Sequence, residues 1–251
     1  MITKEELKDY AKLTSLNLGQ AEKDYFQNII LFILYRNYGN ELVFKGGTAL
    51  KKCYGLNRFS EDLDFTCTNR IDTDKLETGL KRFNIEFEKE KEEYENSMNT
   101  ILRIKGPLYI GIRPSLCKLI IDFSYREKIQ LKPEIKTIGR FLEEIPSFDV
   151  FVMHENEIFA EKIRAIMTRT KARDIYDLWF LLEKGIKLDE ELVKEKLKYC
   201  DKNWNSTEFS KKLNMTSKIW LSELRPLIDI VPDFNEVKKS IHDKLITKDT
   251  D

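Results

Sequence analysis

The chain reads as an α+β protein: a small mixed sheet with flanking helices, followed by an all-helical C-terminal half. Three observations predict this. In the first half, apolar residues alternate between helical spacing (Tyr25, Ile29, Phe32, Ile33, Leu34) and short strand-like runs such as 116–124. A Gly46-Gly47 pair one residue after the apolar run 42–44 marks a strand-to-helix turn. From about residue 154 onward, every periodic stretch is helical. The boundary is therefore expected near residue 150, with an α/β domain over 1–150 and a helical domain over 151–251.

The elements follow in order. Residues 3–14 predict a short polar helix and 20–37 a second, broken by the stretch 37–40. Residues 42–44 form a short buried strand. A helix then runs from the glycine pair to about Tyr54, and Gly55 stops it. Residues 62–67 form the next strand. Residues 72–94 read as a charged helix carrying Leu76, Leu80, Phe83 and Phe87 on one side, with Gly79 a weak point. The run 88–95 is read as its solvated surface. A meander of strands follows at 101–104, 108–112 and 116–124, with a final short strand at 150–153. The later helices are placed at 154–169, 172–184, 189–199, 206–222 and 234–246, with Pro226 and Pro232 punctuating the loop before the last. Tyr176, Trp179, Phe180, Leu182, Trp204 and Trp220 are expected in the core.

Composition excludes some classes. Of 251 residues, 43 are Lys or Arg and 43 Asp or Glu, so net charge is zero and a nucleic-acid partner could show only in local patches. The four cysteines (Cys53, Cys67, Cys117, Cys200) are far apart, and the two histidines (His154, His242) are not at zinc-ligand spacing. Free thiols in a reducing cytoplasm are expected. The opening Met1-Ile2-Thr3-Lys4-Glu5-Glu6 is polar, which predicts no signal peptide. The longest apolar stretch, 29–35, is too short to span a membrane.

Three features can carry chemistry. Gly46, Gly47 and Thr48 open a helix, where backbone amides and a hydroxyl can hold a phosphate. Asp62 and Asp64 alternate with Leu63 and Phe65, so both carboxylates leave one strand face. Two such oxygen donors suit Mg²⁺ or Mn²⁺, which keep waters and take further ligands from substrate phosphate. Asp122 interrupts the apolar run 119–123, where an uncompensated charge is costly. A metal, a basic partner or exposure at a strand end would each relieve it. Later, Lys162, Ile166, Arg169 and Arg173 share a helix face, and residues 161–173 hold five bases and one acid. That stripe suits a triphosphate or a nucleic-acid backbone, and a solvated face explains it as well. Arg173 and Asp177 are also spaced for a structural i,i+4 pair.

Together these phrases resemble a known group. A glycine turn, an Asp-x-Asp strand and a lone later aspartate follow the order of the DNA polymerase β-like nucleotidyltransferase superfamily. Phe44-Lys45-Gly46-Gly47-Thr48-Ala49-Leu50, Arg58-Phe59-Ser60-Glu61-Asp62-Leu63-Asp64-Phe65, Glu161-Lys162 and Ala172-Arg173-Asp174-Ile175-Tyr176-Asp177-Leu178-Trp179 resemble the AbiEii (MenT-like) nucleotidyltransferase toxin family over about residues 25–185. The resemblance implies a nucleotidyltransferase-type sheet. It implies that Gly46, Gly47 and Thr48 contact phosphate, that Asp62 and Asp64 hold the metal, and that Lys162 offsets phosphate charge. Asp174 or Asp177 is the late acid, Asp174 being favoured. Ser60 matches a serine that the antitoxin modifies in some members. Asp122 as a third ligand or proton acceptor is an extension from the residues alone. The implied activity is NTP-dependent, Mg²⁺-requiring transfer of a nucleotide to an RNA acceptor, tRNA foremost, with growth arrest or phage defence as outcome and a cognate antitoxin as partner. A nucleotide-binding module without turnover and a metal-dependent phosphodiesterase are the alternatives. The latter needs a histidine or further acid near the pair, for which His154 is the nearest candidate.

Overall fold

In this computed structural model, residues 1–139 and 145–245 are described. The first helices are fixed by their N-termini. Thr3 and Glu6 form a reciprocal capping box at α1 (Lys4–Thr14), and Asn17 and Gln20 another at α2 (Leu18–Tyr38). Next come β1 (Leu42–Lys45), α3 (Gly46–Tyr54), β2 (Leu63–Cys67), α4 (Asp74–Arg82), β3 (Phe87–Glu93), β4 (Ser97–Ile104), β5 (Cys117–Ser124), β6 (Glu134–Ile138) and β7 (Phe148–Val152). The helices α5 (Glu155–Thr168), α6 (Ala172–Glu183), α7 (Glu190–Lys198), α8 (Ser206–Met215), α9 (Trp220–Leu224) and α10 (Phe234–Leu245) follow. The α+β reading is correct: one mixed seven-stranded sheet, with helices flanking it and helices alone afterward.

The chain forms two compact units. The first is Met1–Cys53, Ser60–Ile129 and Pro133–Val152; the second is Tyr54–Phe59, Gln130–Lys132 and the chain from Met153.

In the first unit the sheet order is β3-β4-β5-β2-β1-β7-β6. β1 runs antiparallel to β2, β2 runs parallel to β5, and β5 antiparallel to β4. Its core face stacks Phe44, Phe65 and Phe123 from three adjacent strands, ring centroids 5.4 and 5.6 Å apart. Tyr35 of α2 packs on Phe65. Period 2 then forces Lys45, Asp64 and Asp122 onto the opposite face.

Several expectations fail here for local reasons. The stretch 72–94 is not one helix. α4 ends at Arg82, Asn84 takes a left-handed turn, and the rest is edge strand β3. The charges of 88–93 remain largely solvent-facing, but as an edge strand, where charge discourages pairing with another chain. Gly79 does not weaken α4. A Cβ there would meet Ile33 Cδ1 at 3.0 Å, so glycine lets α4 lie against α2. Residues 108–112 are a loop and no strand: the Leu108 N–H donates to Glu22 Oε1 at 2.8 Å, and Gly111 has φ +89°. Strand β6 has no counterpart in the sequence reading. Its alternation is weak and its Ile135 points to solvent.

In the second unit, the expected helix 206–222 is broken by a 3₁₀ turn at Thr216–Lys218. Trp220 and Tyr176 are buried as expected, whereas Trp179, Phe180 and Trp204 are only half-buried. The last helix ends at Leu245 within the described residues; position 246, included in the expected helix, and the end of the 151–251 domain lie outside them.

Candidate functional site

The chemistry-bearing residues fall into two clusters, one in each unit. In the sheet unit, hydrogen-bond register sets a row. Lys45 pairs with Asp64, Asp64 with Asp122, and Asp122 with Asn99, across β1, β2, β5 and β4. In-register neighbours share a face, with Cβ atoms about 5 Å apart. Two full charges at that spacing and an effective dielectric near 20 repel by about 3 kcal/mol. Burial first, and then the Asp64 carboxylate beside it, push the Asp122 carboxyl up to about 6. Lys45 pulls the other way, and Lys45 in turn lies 3.8 Å from Glu127.

Asp62 sits two residues before Asp64, at the mouth of β2. The hydroxyl of Thr48 donates to the Asp62 main-chain carbonyl, and Thr48 is fully buried. Thr48 therefore positions the acid's backbone, whereas the sequence predicts its hydroxyl on a phosphate. Gln27 Nε2 donates to the carbonyls of Ser60 and Glu61, both at 2.9 Å. Ser60 is itself buried at 9% exposure, which leaves little of it open to modification.

Gly46 is needed twice over. Its φ is +75°, and a Cβ would lie 3.0 Å from Asp64 Cγ. The absent side chain lets the carboxylate rest against the start of α3, where first-turn N–H groups and the helix dipole favour an anion. Gly46→Ala is expected to lower activity about 100-fold with roughly 1–2 kcal/mol lost from stability. Steady-state turnover alongside thermal melting checks this; the activity loss exceeds what the stability loss explains.

Among the described residues, no group of three or more His, Cys, Asp or Glu side chains is arranged to hold a metal ion. Asp62, Asp64 and Asp122 are thus not a closed three-carboxylate cage. Mg²⁺ does not need one, because it binds through one or two carboxylates and keeps waters for substrate phosphate to join. The hard-oxygen set and the mutual repulsion within the row fit that ion.

The helical unit holds the second cluster. Lys162 on α5 is buried, its Nζ 3.1 Å from Asp174 Oδ1 and 2.7 Å from Asp177 Oδ2. Asp174 and Asp177 are one turn apart on α6 and so face α5 together. Arg58 clamps Asp177 in a bidentate pair at 2.6 and 2.7 Å. Arg169 clamps Asp174 likewise at 2.7 and 3.0 Å. Two fully buried carboxylates thus face three cations. The stripe of Lys162, Ile166, Arg169 and Arg173, which the sequence offers to a phosphate backbone or to solvent, is not one open face: Lys162 and Ile166 are buried, and Arg169 is about half exposed. Asp177 is committed to Arg58 and Lys162 and is no i,i+4 partner of Arg173.

A neighbouring buried cluster has Lys196 between Glu157 and Glu161, at 2.7 and 3.1 Å. Glu157 also accepts the N–H groups of Gln130 and Leu131, which ties that short segment to the helices. His154 caps α5, its Nδ1 accepting the Asn156 N–H, so its place is that of a helix cap. Sequence reasoning assigned no role to Arg58, Lys45, Asn99 or Lys196. Arg58 lay inside a quoted motif, yet its partner is 119 residues away.

Burial would raise the Asp174 carboxyl, but Lys162 and Arg169 hold it well below the usual carboxylate range. Burial would lower the Lys162 ammonium, but Asp177 and Asp174 raise it. The depressed acid contributes stability above its unfolded value near 3.9, lost as pH falls through the folded one. The raised base contributes stability below its unfolded value near 10.4, lost as pH rises through the folded one. All three tryptophans, Trp179, Trp204 and Trp220, lie in this unit. Tryptophan fluorescence should therefore find Asp174→Asn less stable than the parent at neutral pH. The gap should begin to narrow once pH drops below about 4 and close only as pH falls through the folded value.

A glycine-started helix beside an acidic row on a mixed sheet is the equipment of a nucleotidyltransferase. The model of the family described as nucleotidyl transferase AbiEii toxin, type IV TA system, matches residues 32–245, and the chain belongs to that family. The chain is also 28% identical over 205 residues to an uncharacterized protein of Aquifex aeolicus (strain VF5), covering 80% of this chain and 84% of the relative. Its fold is similar to that of MenT4, a nucleotidyltransferase toxin from Mycobacterium tuberculosis H37Rv. The TM-score is 0.69 with 20% identity, and the match covers 100% of this chain and 91% of the other. It is also similar to JHP933 from Helicobacter pylori, with TM-score 0.55, 22% identity and 92% and 94% coverage. Membership of a toxin family of type IV toxin–antitoxin systems implies an antitoxin partner. Among the described residues, no helix is long and apolar enough to cross a membrane.

Proposed function

We propose that this protein is an NTP-dependent, Mg²⁺- or Mn²⁺-requiring toxin that transfers a nucleotide to an RNA acceptor, tRNA being the leading candidate, in the cytoplasm and under control of a cognate antitoxin. The observation that carries this reading is the in-register pair of Asp64 and Asp122, with Asp62 beside them and Gly46 making room for Asp64. When bound, the cation would supply electrostatic stabilisation of the attacking and leaving oxygens. Asp62 and Asp64 hold it, and Asp122 flanks it. The first-turn amides of α3, from Gly46 and Gly47 onward, orient the NTP phosphates.

For the acceptor hydroxyl's proton, Asp122 suits better than Asp174. Both Asp174 oxygens already accept from Lys162 and Arg169, and those cations make it a poor base. Lys162 then serves chiefly to hold Asp174 and Asp177. The domains proposed are the sheet-bearing 1–150 and the helical 151–251.

The test is incubation of purified protein with each labelled NTP, Mg²⁺ and total RNA. Label in RNA with at least one nucleotide is the expected result. No label in RNA or protein under any nucleotide contradicts the proposal, and shortened RNA would support a phosphodiesterase in its place.

A further inference from the structure

Two neutral polar atoms on the acidic face have no hydrogen-bond partner. Asn99 Oδ1 and Thr66 Oγ1 are both buried and unpaired. Asn99 is the next residue in the row after Asp122, and Thr66 is two residues beyond Asp64 on the same strand face. Thr66 is 2% exposed, so bulk water does not satisfy it. A buried acceptor without a donor is unfavourable, and such groups are retained where something else completes them. Thr100 Oγ1 is unpaired as well, but it lies on the core face closed by the stacked phenylalanines, away from the acids.

We propose that Asn99 and Thr66 are the neutral half of the cation site, accepting hydrogen bonds from the hydration shell of a divalent ion held at Asp62 and Asp64 and flanked by Asp122. This rests on the metal-dependent reading above and names two positioning residues for it. The chemistry is consistent: Mg²⁺ and Mn²⁺ dehydrate reluctantly, and their bound waters are strong donors needing acceptors beside the carboxylates. An amide oxygen and a hydroxyl supply these without adding to the repulsion already present between the acids. Outer partners of this kind set metal affinity by about 10–100-fold.

The experiment is Mn²⁺ titration of the full chain without nucleotide, followed by the electron paramagnetic resonance signal of free Mn²⁺. The parent should bind, and Asp64→Asn should abolish binding. Asn99→Leu and Thr66→Val, both near-isosteric, should each weaken it about tenfold while melting as the parent does. Asn99→Asp should bind more tightly than the parent, a gain that misfolding cannot produce. If Asp64→Asn abolishes binding while the Asn99 and Thr66 variants all bind as the parent, this inference is overturned and the metal reading stands. If the parent does not bind Mn²⁺, or Asp64→Asn binds as well as the parent, both fall together.

Discussion

Asp64→Asn is expected to remove growth arrest in cells producing the protein and to cut nucleotide transfer by about 1,000-fold, equivalent to roughly 4 kcal/mol of transition-state stabilisation. It should do so without loss of fold stability. In the absence of metal, Asp64 is a like charge beside a partly buried Asp122 and raises that acid's cost of ionisation. Neutralising Asp64 relieves that repulsion but gives up the anion at the start of α3, so the melting temperature should stay close to the parent's while activity falls. A residue retained for the fold would lower the melting temperature enough to explain the lost activity. Growth assays in parallel with thermal melts of parent and variant decide between the two. Full toxicity of the variant, or a stability loss that accounts for its inactivity, would contradict the assignment.

Asp177→Ala is expected to have the largest effect on stability. Both Asp177 oxygens are used, by Arg58 on one side and Lys162 on the other, and all three groups are buried. Removing the acid leaves two cations with only Asp174 between them, and Asp174 already serves Arg169. Breaking a buried ion pair by deleting one partner costs about 3–5 kcal/mol. That is a large part of a typical domain's total stability of about 5–15 kcal/mol. Removing Arg58 as well should recover part of the loss, because the stranded charge goes with it. Tryptophan-monitored urea unfolding of Asp177→Ala, Arg58→Met and the double variant checks this. Additive losses in the double variant would show that the bidentate pair is not the source.

The same cluster illustrates what was legible in the chain. Local features could be read. The interleaving of Asp62 and Asp64 with Leu63 and Phe65 announced a two-faced strand, and Asp122 stood out against its apolar neighbours. Register could not be read. Nothing local says that Asp122 lies opposite Asp64, because that pairing joins residues 58 positions apart through a parallel ladder. Nor could sequence show that Lys162 is buried between two acids. On a helical wheel it falls beside Arg169 and Arg173 and looks like part of a solvated basic face, and only the packing of α6 on α5 reverses that. The misread stretch 72–94 has a different cause. Phe83 and Phe87 continue a helical spacing across a turn at Asn84, so the helical period persists for a few residues where the backbone has already changed.

The central claim is that Asp64 and Asp122 share one face, and that Asp62 and Asp64 hold a divalent cation there, flanked by Asp122, for phosphate chemistry. A crystal structure of the protein soaked with Mn²⁺ and a non-hydrolysable NTP analogue tests it most directly. The account predicts an anomalous peak at the Asp62, Asp64 and Asp122 side chains, with the analogue's phosphates at the start of α3. Ordered analogue with no Mn²⁺ at these acids, or Asp64 and Asp122 on opposite faces of the sheet, would contradict it.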